Sequence, residues 1–409
     1  VTGKKLLFLF IIIGIGIFVL LLGLLGYRAT WQLWNVPAYS SPFLDLQLIT
    51  AGAESHAAGY DPTFLNPFDP FQRPVNYPRI WNLFFLLPVD LSNTVQIGLA
   101  LIAAFAVCLF IFVPSIDNLT AILMGSIIFS SDVLLGIERG NVDIVFFVLL
   151  AISLYLSDRN KAYSFGILVL SILFKIYPAF SAGYFLEQNN EKSFRWIMGS
   201  FGVLLIYLLI TFQDMVHIFQ LTVTGRPGGG TYLSFGANVL SLFLASNFHL
   251  QVRLVNTIFS LLALIILFST VFAALRSDWS LSVDDAGYIK AFRAGAGIYI
   301  GAFLLGSNYD YRFMFLIFII PQLAIWIRKK NSSGLAGAAL VGVFLSCWNL
   351  LLQKIVLVVF SVDKLSYLYF DEFINWGLFV ILIYLFAASS PDWIVERGKK
   401  MLRIQKPDV

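Results

Sequence analysis

Long apolar runs recur from Leu6 to Ser390 with only short polar breaks between them, and few folds are open to a chain patterned in this way. A helix needs about 20 mainly apolar residues to cross a hydrocarbon core of roughly 30 Å, and in lipid its backbone must satisfy its own hydrogen bonds. The pattern therefore predicts an all-α, polytopic integral membrane protein. Composition agrees: 59% of the 409 residues are hydrophobic and 12% are charged, against roughly 25% charged in a soluble domain. A soluble enzyme is excluded, and no nucleic-acid partner is expected. Cys108 and Cys347 lie inside apolar runs without metal-ligand spacing, which suits packing rather than a disulfide or a redox pair. The first run, Leu6 to Gly26, follows Lys4 and Lys5 and precedes no small-x-small cleavage pattern. It is longer than a signal-peptide core and reads as a retained span.

About ten full spans are predicted, near residues 6–27, 94–114, 119–137, 142–157, 196–213, 254–275, 291–307, 313–327, 335–358 and 373–390. The stretch 162–186 is also apolar, yet Arg159 and Lys161 precede it and Lys192 and Arg195 follow it. At its centre Pro178 removes a backbone donor and disfavours helix at Tyr177, so the stretch reads as a re-entrant helical hairpin. With that hairpin both termini are cytoplasmic and most of the 27 Lys and Arg residues lie inside, in keeping with the positive-inside bias. A single span there would export the Arg328-Lys329-Lys330 cluster and the basic C-terminal tail. The predicted organisation is one transmembrane domain over residues 1–390 and a basic cytoplasmic tail over 391–409, with long outer loops at 28–93 and 214–253. In the first loop, Ser41 as N-cap, Pro42 at N1 and Gly59 just past the end predict a helix over about residues 42–58. The Trp-, Phe- and Leu-rich segment from Pro78 to Pro88 suits the membrane interface.

Asp45 lies in the first turn of that loop helix, where the helix dipole stabilises a carboxylate by roughly 0.3–1 kcal/mol. That alone is a sufficient structural reason for it. At about 100° and 1.5 Å per residue, His56 falls on nearly the same face about 16 Å further along, while Glu54 falls opposite. Asp45 and His56 could therefore line one groove without forming a dyad. Glu138-Arg139-Gly140-Asn141, with Asp143 following, joins two spans by a tight turn. It reads either as a turn closed by its own Glu–Arg pair or as a binding site. Lys175 sits at the hairpin tip, where a buried ammonium needs an anion or freed backbone carbonyls. In Asn308-Tyr309-Asp310-Tyr311-Arg312 the tyrosines suit interfacial anchors. Arg312, and Arg79 within Tyr77-Pro78-Arg79-Ile80-Trp81, each offer a bidentate fork to a phosphate. Gly225-Arg226-Pro227-Gly228-Gly229-Gly230 lacks the ending and the strand–helix context of a nucleotide P-loop and suits a mobile lid. Zinc-ligand spacing and a Gly-x-Ser-x-Gly elbow are both missing. A carboxylate accompanied by cations suits transfer from a phosphate ester: the Asp accepts a hydroxyl proton, and Arg and Lys neutralise the departing phosphate.

The order of these parts resembles the GT-C superfamily of membrane glycosyltransferases, and within it glycosyltransferase family 87, the bacterial polyprenol-phosphate-mannose-dependent α-mannosyltransferases. Asp45-Leu46, Ala51, Ala53 and Gly59-Tyr60-Asp61-Pro62 are similar to the family's Asp-aromatic, Ala, Gly-x-Asp-Pro-Tyr run. Arg139-Gly140-Asn141-Val142-Asp143, Lys175-x-Tyr177-Pro178 and Tyr309-Asp310-Tyr311-Arg312 complete the resemblance over residues 45–312. It implies a GT-C-like fold and an inverting transfer of a sugar, mannose by the family's habit, from a polyprenyl-monophosphate donor. The acceptor would be a lipid or glycan at the outer face of a bacterial cytoplasmic membrane, and neither a divalent metal nor another cofactor would take part. Asp45 matches the family's loop aspartate, taken as the base. Lys175, Arg312, Arg139 and Arg79 are expected around the donor phosphate, and His56, Asp61, Glu138, Asn141, Tyr177, Tyr309 and Asp310 are expected to line the site. Asp61 is the competing carboxylate, with turn formation as its simpler role. Leu46 replaces the usual aromatic and Thr63 stands where Tyr often follows Asp-Pro, departures that bear on the acceptor and the sugar. A transporter or lipid flippase would favour charges near mid-membrane and an inverted repeat, and no such repeat is found in the sequence. An O-antigen ligase or polymerase would use a pyrophosphate-linked donor and carry a large late loop, whereas here the largest loop comes first.

Overall fold

A computed structural model describes residues 2–113, 115–221, 233–277, 286–328 and 333–402. The described chain is all-α apart from one antiparallel pair of two-residue strands, Ser234–Phe235 with Asn308–Tyr309, in the register Ser234 to Tyr309 and Phe235 to Asn308. Among the described residues six helices are long and apolar enough to cross a membrane: Gly3–Leu25, Leu91–Ile111, Glu191–Ile210, Val252–Arg276, Asp310–Arg328 and Lys364–Ala388. Two bent helix pairs raise the number to eight if each is one span. The chain is thus a multi-pass membrane protein.

The expectation of about ten straight spans is corrected, and the reasons are local. Predicted span 119–137 is two helices, Asn118–Ile128 and Ser131–Arg139, bent by 53° at Ser130, whose backbone is extended. Predicted span 335–358 is likewise Gly334–Cys347 and Asn349–Val359, bent by 74°. A hydropathy window registers composition and not direction, so it runs through both bends. Predicted span 142–157 is the helix Asp143–Ser157, with 15 residues; at 1.5 Å per residue that is about 22 Å, short of the hydrocarbon thickness. The last span begins at Lys364 rather than near 373 because Asp371, Glu372 and Asn375 turn inward and are buried. Their polarity hides the helix from a hydropathy reading. The break near Pro178 is present: the helix Lys161–Phe174 ends on an extended Lys175, and a 3-10 run Tyr177–Phe185 follows in place of a second α-helix.

The chain divides into two compact units, Val1–Ala179 with Ser200–Val223 and Phe180–Gly199 with Thr224–Val409. In the first, Gly3–Leu25 packs on Asn118–Ile128, with Gly125 against the ring of Phe10. Leu91–Ile111 packs on Asp143–Ser157, which packs on Lys161–Phe174. The last two are joined by reciprocal hydroxyl-to-carbonyl bonds of Ser153 and Ser164, each 2.8 Å. In the second unit, Ala286–Leu304 packs against both Asp310–Ile319 and Lys364–Ala388, around Phe292, Phe303, Phe313 and Trp326. Buried Arg293 donates to the carbonyls of Leu186 and Ser389, each at the end of a helical run where carbonyls lack helical partners. Of the predicted basic tail, residues 392–401 form the helix Asp392–Met401. Lys329, Lys330 and residues 403–409 lie outside the described residues.

Candidate functional site

The first unit gathers the candidate residues around the start of the loop helix, which spans Leu44–Ala57. It does not start at Ser41 and Pro42 as expected. Phe43 takes a left-handed conformation, φ 62°, and donates its N–H to the Glu138 carbonyl at 3.0 Å, so the chain enters the helix two residues later than expected. Ser41 serves the entry differently, donating through its Oγ to Gln47 Oε1, while Gln47 Nε2 donates to the Pro42 carbonyl at 2.9 Å. The entry rests on the turn after Arg139, where Gly140 has φ 56°. A Cβ there would lie 2.8 Å from Phe43 Cβ, so this close approach requires glycine.

Asp45, in the first turn as predicted, meets two partners from distant parts of the sequence. Asn141 Nδ2 donates to its Oδ2 at 2.6 Å, and Asn141 Oδ1 accepts the Asp143 N–H at 2.9 Å. Arg73 Nη1 stands 3.9 Å from Asp45 Oδ1. Arg73 is itself clamped: Nε and Nη2 donate to the two oxygens of Asp69 at 3.1 and 2.8 Å, and Nη2 also donates to the Leu44 carbonyl at 2.7 Å. Burial works against the guanidinium charge, but the bonded Asp69 and the nearby Asp45 outweigh it and hold the Arg73 pKa above its ordinary value. Sequence reasoning missed both Asp69 and Arg73. Their i, i+4 spacing in Asp69-Pro70-Phe71-Gln72-Arg73 was the only available signal, and it was lost among loop residues.

The 138–141 turn contains the internal pair considered for it. Arg139 Nε lies 3.4 Å from Glu138 Oε2, and Tyr27 Oη donates to Glu138 Oε1 at 3.2 Å. Burial, and then the Glu138 charge, push the Tyr27 phenol well up from its ordinary value. Arg139 also donates to the Pro37 carbonyl at 3.0 Å and lies over the Tyr39 ring at 4.7 Å.

The anion that a buried Lys175 needs comes from 32 residues earlier in the chain. Its Nζ pairs with Asp143, the first residue of the helix Asp143–Ser157, and it lies 5.5, 5.8 and 5.5 Å from the ring centres of Tyr77, Phe146 and Tyr177. Asp143 is fully buried and Lys175 largely so, with side-chain exposures of zero and 14%. Trp81 Nε1 donates to the Phe174 carbonyl at 3.1 Å, which ties the segment after Pro78 to the helix end beside Lys175. Asp45, Asn141, Asp143, Lys175 and Tyr177 are thus linked in series. Chemically, the arrangement offers one partly exposed carboxylate, that of Asp45, linked through Asn141 and Asp143 to an ammonium–carboxylate pair among aromatic faces.

Other predicted residues sit elsewhere. The His56 ring packs on Phe85, centroids 6.3 Å apart, and is not brought to Asp45. Asp61 Oδ1 accepts from Thr63 N at 3.0 Å and Thr63 Oγ1 at 2.6 Å, an Asx-turn. Arg79 pairs with Asp214 at 2.8 Å. Tyr309, Asp310 and Arg312 belong to the second unit, where Arg312 bonds Asn308 and the Tyr309 and Tyr311 rings stack at 5.4 Å. Asp310 joins a buried network that the sequence did not reveal: Asn349 Nδ2 lies 3.4 Å from both Asp310 Oδ2 and Asp371 Oδ2, and Asn375 donates to Asp371 at 3.1 Å. The glycine-rich segment Gly225 to Gly230, read as a lid, lies outside the described residues. Among the described residues no three His, Cys, Asp or Glu side chains converge as a shared metal ion would require.

Comparisons of the chain with protein-family models, with curated proteins and with solved structures find no match.

Proposed function

We propose that the chain is an inverting, GT-C-like glycosyltransferase. It would move a sugar, with mannose the first candidate, from a polyprenyl-monophosphate donor to a lipid or glycan acceptor on the outer face of a bacterial cytoplasmic membrane. The observation that carries this reading is the series Asp45, Asn141, Asp143, Lys175, Tyr177: three sequence segments that resemble the family, up to 132 residues apart in the chain, meet through side chains in the first unit. In this mechanism Asp45 takes the acceptor hydroxyl proton as the hydroxyl oxygen attacks the anomeric carbon, and the bond to the phosphate oxygen breaks. The phosphate leaves as a stable anion, so removing the acceptor proton matters more than protonating the leaving group. A positioned base contributes roughly 10²–10⁴-fold to such a step. Lys175, Arg139 and Arg79 are the candidate cations of this unit for the donor phosphate, and there each would exchange its own carboxylate partner, Asp143, Glu138 or Asp214, for the phosphate. Mass spectrometry of lipids and glycans from a deletion strain tests the reading. A lost glycoconjugate with accumulated unglycosylated acceptor supports it, and an unchanged glycan profile with altered solute uptake rejects it.

A second reading, a transporter or flippase, is favoured by one observation. Asp371 and Glu372 are buried within the apolar helix Lys364–Ala388, and ionisable groups inside a span often mark a transport path.

A further inference from the structure

Asn141 is 1% exposed, and both ends of its amide are engaged. The end that meets the Asp143 N–H must be the oxygen, because a backbone N–H can only donate. The NH2 end therefore faces Asp45, where a carboxylate oxygen accepts its hydrogen bond, and the backbone N–H fixes the amide orientation. Asn141 holds Asp45 Oδ2 at 2.6 Å. Asp45 Oδ1 stands 3.9 Å from Arg73 Nη1, beyond hydrogen-bond distance, on a side chain that is 24% exposed. One oxygen is held by a hydrogen bond, and the other faces the Arg73 guanidinium at ion-pair distance. The charged groups facing Asp45 are Arg73, from the loop after Asp69, and Glu138, from the end of the helix Ser131–Arg139.

Resting on the reading of Asp45 as the base, we infer that Asn141 is a positioning residue: it claims Asp45 Oδ2 and presents Oδ1 to the acceptor hydroxyl. The turn that carries Asn141 also carries Asp143, the partner of Lys175. A single short segment after the left-handed Gly140 thereby sets where the base stands relative to the buried cation. A base must come within about 2.6–3.2 Å of its proton, and a displacement of about 1 Å can lower a rate ~10²-fold.

The test separates positioning from turn formation. Asn141→Ser and Asn141→Asp both keep a side-chain oxygen for the Asp143 N–H, so the turn is retained. Serine is too short to reach Asp45, and aspartate has no N–H to donate. Both variants are expected to lose about 100-fold in kcat with the KM for polyprenyl-phosphate mannose unchanged, a split that a loss of stability alone does not produce. Normal kcat in both reduces Asn141 to a turn former, and a raised KM at unchanged kcat makes it a binding residue; either result overturns the inference. If two facing carboxylates prevent Asn141→Asp from folding, the exchange Asp45→Asn with Asn141→Asp restores a donor–acceptor pair of reversed polarity. It is expected to fold and remain inactive, and recovered turnover would overturn the inference. Asp45→Asn alone distinguishes the two levels. Wild-type turnover in that variant removes the base reading itself, whereas its inactivity beside normal Asn141 variants removes only the positioning role.

Discussion

Replacing Lys175 by Met is the perturbation whose expected outcome the structure changes most. Were Lys175 only a ligand of the donor phosphate, this variant would fold largely intact and lose donor binding. The pairing with Asp143 alters that. The Asp143 side chain is wholly buried and that of Lys175 nearly so, which removes the solvent screening that makes exposed pairs weak. Removing one partner of a buried pair leaves an uncompensated charge and costs about 3–5 kcal/mol. The lost contacts of the ammonium with the rings of Tyr77, Phe146 and Tyr177 add about 0.5–2 kcal/mol. The double replacement Lys175→Met with Asp143→Asn removes both charges and should recover most of the loss, since buried pairs are often replaced at little net cost. The assay is reversible unfolding of the purified protein in detergent, followed by tryptophan fluorescence, for wild type, each single variant and the double variant. A coupling energy of about 2–4 kcal/mol is expected. A Lys175→Met protein within about 0.5 kcal/mol of wild type, a value usual for surface changes, would refute the buried-pair reasoning and return Lys175 to the role of a vacant anion ligand.

Gly140→Ala should destabilise the protein by about 1–2 kcal/mol from the left-handed backbone alone, with a further loss from the contact at 2.8 Å with Phe43; an unchanged thermal midpoint contradicts this. Arg79→Ala, which breaks a pair half-exposed at the arginine, should change stability by less than about 1 kcal/mol. A raised donor KM in that variant keeps Arg79 at the phosphate, and an unchanged KM removes it. For topology, Ser193 is buried while its neighbour Lys192 is exposed, so Lys192→Cys is the better probe. It should resist an impermeant thiol reagent added to intact cells and react after permeabilisation, and labelling from outside would overturn the cytoplasmic placement.

Much of the architecture was legible because lipid imposes it: apolar runs of sufficient length became helices, and the break at Pro178 lies where proline chemistry puts it. Bends were harder to read: Ser130-Ser131-Asp132 carries a helix-start signal that the hydropathy window averages away, and nothing in the composition around Trp348 distinguishes a bent helix pair from a straight span. The start of the last span was hidden for the opposite reason, because Asp371 and Glu372 look like loop residues until a bundle surrounds them. At the site, Asp45, Asn141, Lys175 and Tyr177 could be named from residue type and position. Their partnerships could not, because the contact between Asp45 and Asn141 spans 96 residues and that between Lys175 and Asp143 spans 32. Arg73 was overlooked because its value lies in a clamp with Asp69 and Leu44 that only the folded loop creates.

The central claim is that Asp45 accepts the proton in a glycosyl transfer, and it is tested most directly by turnover of purified protein in liposomes with polyprenyl-phosphate mannose and acceptor. Wild type, Asp45→Asn and Asp61→Asn are compared. Transfer is expected from wild type and near-normal transfer from Asp61→Asn, whose Asx-turn an asparagine oxygen can preserve, with a loss of about 10²–10⁴-fold for Asp45→Asn. Near-normal turnover by Asp45→Asn with loss in Asp61→Asn would move the base to Asp61, and full activity in both would contradict the carboxylate-base mechanism.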